Sequence, residues 1–127
     1  MAVAYKLVQR KNPQNQEAPM KYYASAVTSR VSFDTLCKEI ADGCTLTSAD
    51  VKAVLDRANS VLDRHLSNGN IVQFGELGNF RISLSSSGST SAEGYKSSLI
   101  RKGRIIFTPG SSLRSTVEGL TFSRASE

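Results

Sequence analysis

The residues best equipped for chemistry in this chain are cationic. Arg101, Lys102 and Arg104 fall within four positions, Lys96 stands just before them, and Arg81 lies on an earlier apolar segment. A cluster of guanidinium and ammonium groups neutralises phosphate oxygens, Arg in a two-pronged fork and Lys as a point charge, without reading any particular sequence. Other chemistry finds little support. There is one histidine, His65, and the two cysteines, Cys37 and Cys44, form no CxxC pair, so neither a zinc site nor a redox motif is indicated. On a continuous helix those cysteines would be separated by roughly 10 Å of rise, beyond disulfide reach. Cys37 therefore reads as a core residue. No paired carboxylates, nucleophile motif or phosphate-binding glycine loop accompanies His65, and the chain reads as a non-enzyme with no cofactor, no metal and no small-molecule substrate.

Strands must position the cations. Phe80, Ile82 and Leu84 alternate with Arg81 and Ser83, the period of a half-buried antiparallel strand. On the returning segment the same alternation puts Lys102 and Arg104 on one face and Arg101, Ile105 and Phe107 on the other. Between these segments residues 85–94 are mostly serine, glycine and threonine with almost nothing to bury, which predicts a connection that is mobile when the protein is alone. Gly75 and Gly78 supply turn freedom at the corner leading in. Pro109-Gly110 ends the returning strand, and residues 111–117 predict a short helix. The stretch from Ile71 to Leu113 is thus a hairpin with a long arm, about residues 81–106, rooted in positive charge.

Two helices precede it. Ser32 can cap the first, with Asp34 in its first turn and Val31 able to staple against Leu36; Phe33, Leu36, Cys37 and Ile40 recur at helical spacing until Asp42-Gly43. Thr47 followed by Asp50 is a capping-box pattern that opens the second, and Asn68-Gly69-Asn70 stops it. Val51, Val54, Leu55, Ala58, Val61, Leu62 and Leu66 form a stripe too broad for one short partner helix, and a dimer core explains it more economically. A helix-turn-helix reading is disfavoured. Lys52, Arg57 and Arg64 are matched by Asp50, Asp56 and Asp63, so a phosphate backbone would gain little from that helix. Towards the N-terminus, residues 3–10 and 20–27 are β-branched and aromatic around a turn-rich Asn12–Pro19 segment, a predicted hairpin. Lys6, Arg10, Lys11 and Lys21 cluster there, either guarding a solvated edge or adding phosphate contacts. Residues 120–124 alternate again and are expected to pair with these strands.

Composition bounds the class. The chain has 127 residues, 39% of them hydrophobic and 21% charged, the values of one globular domain. No apolar run reaches the ~18 residues of a membrane-spanning helix, and Met1–Lys6 has no signal-peptide core, so a cytoplasmic location is expected and no membrane partner. The net charge is +5, from 16 Lys+Arg and 11 Asp+Glu, which suits a polyanion. Its distribution says more: residues 1–31 hold five cations and one anion, residues 32–69 four and six, residues 70–127 seven and four. An acidic middle lies between basic flanks.

Helix, turn, long helix, glycine corner, β-arm and closing helix, in that order, resemble the bacterial histone-like family of HU and integration host factor. The match is carried by Leu46-Thr47, by Gly69-Asn70-Ile71-Val72-Gln73-Phe74, by Leu77-Gly78-Asn79-Phe80 and by Phe107-Thr108-Pro109-Gly110-Ser111-Ser112-Leu113. It covers about residues 32–118. The hairpin of residues 1–31, packed on the same domain, and the strand and tail of residues 119–127 resemble the extended HU-HIG branch. The resemblance implies an α+β fold with a two-helix base, an antiparallel sheet with a long β-arm, a short C-terminal helix and an added N-terminal hairpin. It implies a homodimer, or a heterodimer with a paralogue, whose saddle and arms hold double-stranded DNA along phosphates and minor groove, associated with the nucleoid and condensing and organising the chromosome. Leu36, Ile40, Val54, Leu55, Val61, Leu62, Phe74, Phe80 and Phe107 would then form the dimer core, and Arg81, Lys96, Arg101, Lys102 and Arg104 the DNA contacts. The chain departs from the family in having no proline between Phe80 and Thr108, where an arm-tip proline wedges between base pairs. Leu99, Ile100 or Tyr95 is the candidate substitute. The reading is sequence-tolerant DNA binding; the alternative is a dimeric structural or interaction module that keeps the fold and binds DNA weakly or not at all.

Overall fold

In the computed structural model, residues 2–125 are described. Met1 and the last two residues of the expected tail, 126 and 127, lie outside them. The elements run β1 (Ala2–Arg10), β2 (Lys21–Ala26), α1 (Phe33–Asp42), α2 (Ser48–Ser67), β3 (Val72–Gln73), β4 (Gly78–Ser86), β5 (Ile100–Pro109), α3 (Ser111–Glu118) and β6 (Thr121–Arg124). The architecture is mixed α+β, with two three-stranded sheets ordered β2-β1-β6 and β3-β4-β5. The chain forms two compact units: one holds residues 33–115, the other the chain before and after them.

In the larger unit α1 packs on α2, and local chemistry fixes where α2 begins and ends. Thr47 Oγ1 accepts a hydrogen bond from the Asp50 amide, and Asp50 Oδ2 accepts one from the Thr47 amide, each at 3.2 Å. This reciprocal pair satisfies two otherwise orphaned donors at the start of α2. At the other end the Asn68 amide donates to the His65 carbonyl, and Gly69 takes a φ of 79°, which a glycine adopts without steric cost. Asn70 Nδ2 lies 3.3 Å from His65 Nδ1, tying the one histidine to the helix end.

The core is small. Among the described residues only Cys37, Val51 and Leu66 are buried hydrophobics, at 3%, 3% and 6% exposure. The chain exposes 10730 Å², whereas two separate compact units of these sizes would expose roughly 7,900 Å² by the scaling of accessible area with mass. Large apolar side chains are among what is exposed: Leu36, Ile40, Val54, Phe74, Leu84, Ile105 and Phe107.

In the smaller unit β1 pairs antiparallel with β2, from Tyr5 opposite Ala26 to Arg10 opposite Lys21, and parallel with β6, from Ala2 beside Thr121 to Tyr5 beside Arg124. The β-branched and aromatic content of residues 3–10 and 20–27 and the alternation in residues 120–124 anticipate all three strands.

Candidate nucleic-acid interface

The site is the two-stranded ribbon β4–β5, and its register is set at the corner where it begins. Gly75, at φ 62°, opens a 3-10 turn over Gly75–Leu77, and the Phe74 amide donates to the Gly78 carbonyl at 2.8 Å. The Gly110 amide donates to the Leu77 carbonyl at 3.0 Å, tying the end of β5 to the same corner. A Cβ on Gly110 would collide with the Glu76 carbonyl oxygen, and one on Gly78 would collide with the Thr108 carbonyl oxygen. Both close approaches need glycine. Aromatic rings then fill the base of the ribbon, Phe74 edge-on to Phe80 at 6.2 Å between centroids and Phe80 tilted on Phe107 at 4.9 Å.

From this anchored start the ladder runs outward with Gly78 opposite Pro109, Phe80 opposite Phe107, Ile82 opposite Ile105 and Leu84 opposite Gly103. Those residues share one face. The other carries Arg81 opposite Ile106, Arg104 opposite Ser83 and Lys102 opposite Ser85. The ribbon is therefore two-sided, with cations on one face and Phe, Ile and Leu on the other. Same-face neighbours along a strand are ~7 Å apart, and diagonal cross-strand neighbours such as Arg81 and Arg104 stand at a similar distance. Serines opposite Arg104 and Lys102 leave both heads unobstructed. Neither β4 nor β5 contains a carboxylate, so their charge is not neutralised within the ladder.

The remaining proposed contacts are placed differently. The register shifts between Ser85 and Ser86, so that Lys102 pairs with Ser85 and Ile100 with Ser86. Arg101 is the residue left over. This corrects the simple alternation that grouped it with Ile105 and Phe107: the bulge takes it out of the ladder, and its Nη2 donates to the Ser86 carbonyl at 3.4 Å. Lys96 is exposed and precedes the 3-10 turn Ser97–Leu99, beyond the paired strands. Leu99, half-buried, and Ile100, exposed, stand at that same outer end, where the Ser87 amide donates to the Leu99 carbonyl at 2.8 Å. The serine-rich connection has internal order of its own: Ser89 Oγ donates to the Ser91 carbonyl at 2.8 Å, and the Gly94 amide donates to Ser91 Oγ at 3.0 Å.

Beneath the apolar face lies an open groove of about 390 Å³, lined by Leu62 and Leu66 of α2 and Ile82 and Ile105 of the ribbon, and equally by the polar Asn59, Ser60, Asp63 and Ser67 of α2. Ile82 and Ile105 were not singled out from the sequence as interface residues, although their place in the strand alternation carried the signal. Of the residues proposed for a dimer core, Leu55, Val61, Leu62 and Phe80 are half-buried, while Leu36, Ile40, Val54, Phe74 and Phe107 are exposed. No group of three or more metal-ligating side chains occurs among the described residues. No helix among them is long and apolar enough to cross a membrane.

A helical pair carrying a ribbon that is basic on one side and apolar on the other defines a basic α+β protein suited to a polyanion. The chain belongs to the HU-HIG family, described as an HU domain fused to a wHTH, Ig or glycine-rich motif, whose profile matches residues 1–124. Its fold is also that of a crystal structure from Bacteroides vulgatus described as a candidate bacterial DNA binding protein, with a TM-score of 0.65 at 13% sequence identity. The alignment covers 99% of this chain and 49% of that one, so this chain spans about half the length of the similar structure. No curated protein matches the sequence.

Proposed function

We propose that this protein binds double-stranded DNA with little regard to sequence, as a dimer whose β4–β5 ribbons act as arms against phosphates and the minor groove. The observation that carries this reading is the face of the ribbon on which Arg81, Arg104 and Lys102 stand without a carboxylate. Lys96 and Arg101, further out, extend the contact toward the tip. Cations spaced along a strand neutralise successive phosphates and release condensed counterions, a source of affinity indifferent to base identity. Membership of an HU-domain family supports the same reading.

The dimer is supported by what the chain leaves uncovered. Its surplus surface, on the order of 2,800 Å², is of the size a protomer of an obligate, intertwined dimer buries. A second copy laid along Leu36, Ile40, Val54 and the groove under Ile82 and Ile105 would cover the residues that need it. Leu99 and Ile100, at the outer end of the arm, are the proposed wedge in place of the family's proline. The proposed place of work is the nucleoid. Titrating two duplexes of unrelated sequence tests the reading: matched affinities support it, and a large preference for one would replace it with direct base readout.

A further inference from the structure

The smaller unit carries a second concentration of positive charge, outside the ribbon. In sheet β2-β1-β6 the register puts Lys6, Val8 and Arg10 of β1 on one face with Lys21, Tyr23 and Ser25 of β2 and with Thr121 and Ser123 of β6. The opposite face collects Val3, Tyr5, Leu7, Gln9, Tyr22 and Phe122, with one cation, Arg124. The three strands contain no carboxylate. At the end of the hairpin Arg10 stands directly opposite Lys21, a like-charge pairing that weakens the ladder. A protein that retains such a pair gains most from it when an anion sits between the two heads.

A cavity is present at that place. The Asn12–Ala18 connection folds back on itself through two side-chain turns, the Gln14 amide donating to Asn12 Oδ1 at 2.9 Å and the Glu17 amide to Asn15 Oδ1 at 3.2 Å. Between this connection and the strands lies a space of about 520 Å³ lined by Arg10, Lys11, Lys21 and Tyr23, among others. Three cations and a tyrosine converge on it. Tyr23 is about half exposed and offers both a ring face and a hydroxyl donor. An edge guarded by lysines against strand addition would need the charges along an unpaired strand. That condition is met, since β2 is an edge strand and β6 pairs only with Ala2–Tyr5 of β1, but Arg10, Lys11 and Lys21 also line one cavity at the turn.

We infer that this cavity is a second phosphate site, which takes the phosphodiester backbone of DNA through Arg10, Lys11 and Lys21. The inference rests on the DNA-binding reading and deepens it, by giving the N-terminal hairpin a share of the electrostatic affinity. The test uses the full chain and a random-sequence duplex, with affinity followed against salt. Arg10→Gln/Lys11→Gln/Lys21→Gln is expected to flatten the slope of log affinity against log salt by about two to three per protomer, at about 0.9 for each phosphate no longer neutralised. Lys21→Gln alone is expected to flatten it by about one per protomer, and to hold or raise the melting temperature, because it removes the like-charge pair. Wild-type protein that binds DNA while both variants keep its slope overturns this inference and leaves the ribbon reading intact. Wild-type protein that binds no duplex at low salt overturns both.

Discussion

Lys102 and Arg104 stand on the carboxylate-free face of the ribbon, opposite Ser85 and Ser83, and both are exposed. Replacing both with Gln removes four cations from the proposed dimer while keeping the ladder and much of the side-chain length. Exposed substitutions of this kind change stability by at most ~0.5 kcal/mol, so the variant is expected to fold as the parent does. Four phosphates left without a cation, at ~0.9 each, flatten the dependence of log affinity on log salt by about 3.6. Over a fourfold rise in salt, from about 50 to 200 mM, wild-type protein should therefore lose about 150-fold more affinity than the variant. Fluorescence anisotropy with a labelled duplex at four or five salt concentrations measures both slopes. The variant should weaken binding equally on duplexes of unrelated sequence. An unchanged slope would refute the assignment of these two side chains to phosphates; a loss confined to one sequence would move them to base edges.

Three further outcomes follow from the geometry. Val54, 57% exposed on α2, would in the proposed dimer become an unpaired buried charge in each protomer as Val54→Asp; at several kcal/mol per ion this should weaken dimerisation at least about a thousandfold. Analytical ultracentrifugation would detect the loss, and a variant as dimeric as wild type would remove Val54 from the interface. Gly110→Ala drives a Cβ into the Glu76 carbonyl at the ribbon corner, for a cost of about 1–3 kcal/mol. Gly88→Ala, with nothing within 4 Å, should cost less than ~0.5 kcal/mol; equal melting temperatures for the pair would contradict the corner's role. Thr47→Ala breaks the reciprocal cap of α2 and should cost about 1 kcal/mol, or roughly 4–8 °C in melting temperature, whereas Thr47→Ser should restore most of it.

Much of this architecture was legible because each element announces itself locally. Thr47 and Asp50 at capping-box spacing, Asn68-Gly69 at a helix stop, and the alternation of Phe80, Ile82 and Leu84 specify short-range hydrogen bonds that tertiary context had no reason to override. The face carrying Lys102 and Arg104 followed from the same two-residue period. Arg101 did not, because a bulge inserts a residue and everything beyond it changes face; Gly103, two residues on within the strand, was the one local hint. The cavity at Arg10, Lys11 and Lys21 was visible only as a cluster of charge: the cross-strand register that sets Arg10 against Lys21 depends on how the Asn12–Ala18 connection folds. The groove under Ile82 and Ile105 joins residues some twenty to forty positions apart in the chain, and no local pattern encodes such a juxtaposition.

Whether this protein holds DNA through phosphates is tested most directly by titrating the full chain into a labelled random-sequence duplex from about 50 mM salt upward. Half-saturation is expected at or below ~1 μM at the lowest salt, with log affinity falling linearly and steeply as log salt rises. Absence of binding at tens of micromolar protein, or an affinity that does not change with salt, would contradict phosphate-mediated binding and leave the fold as a dimeric interaction module.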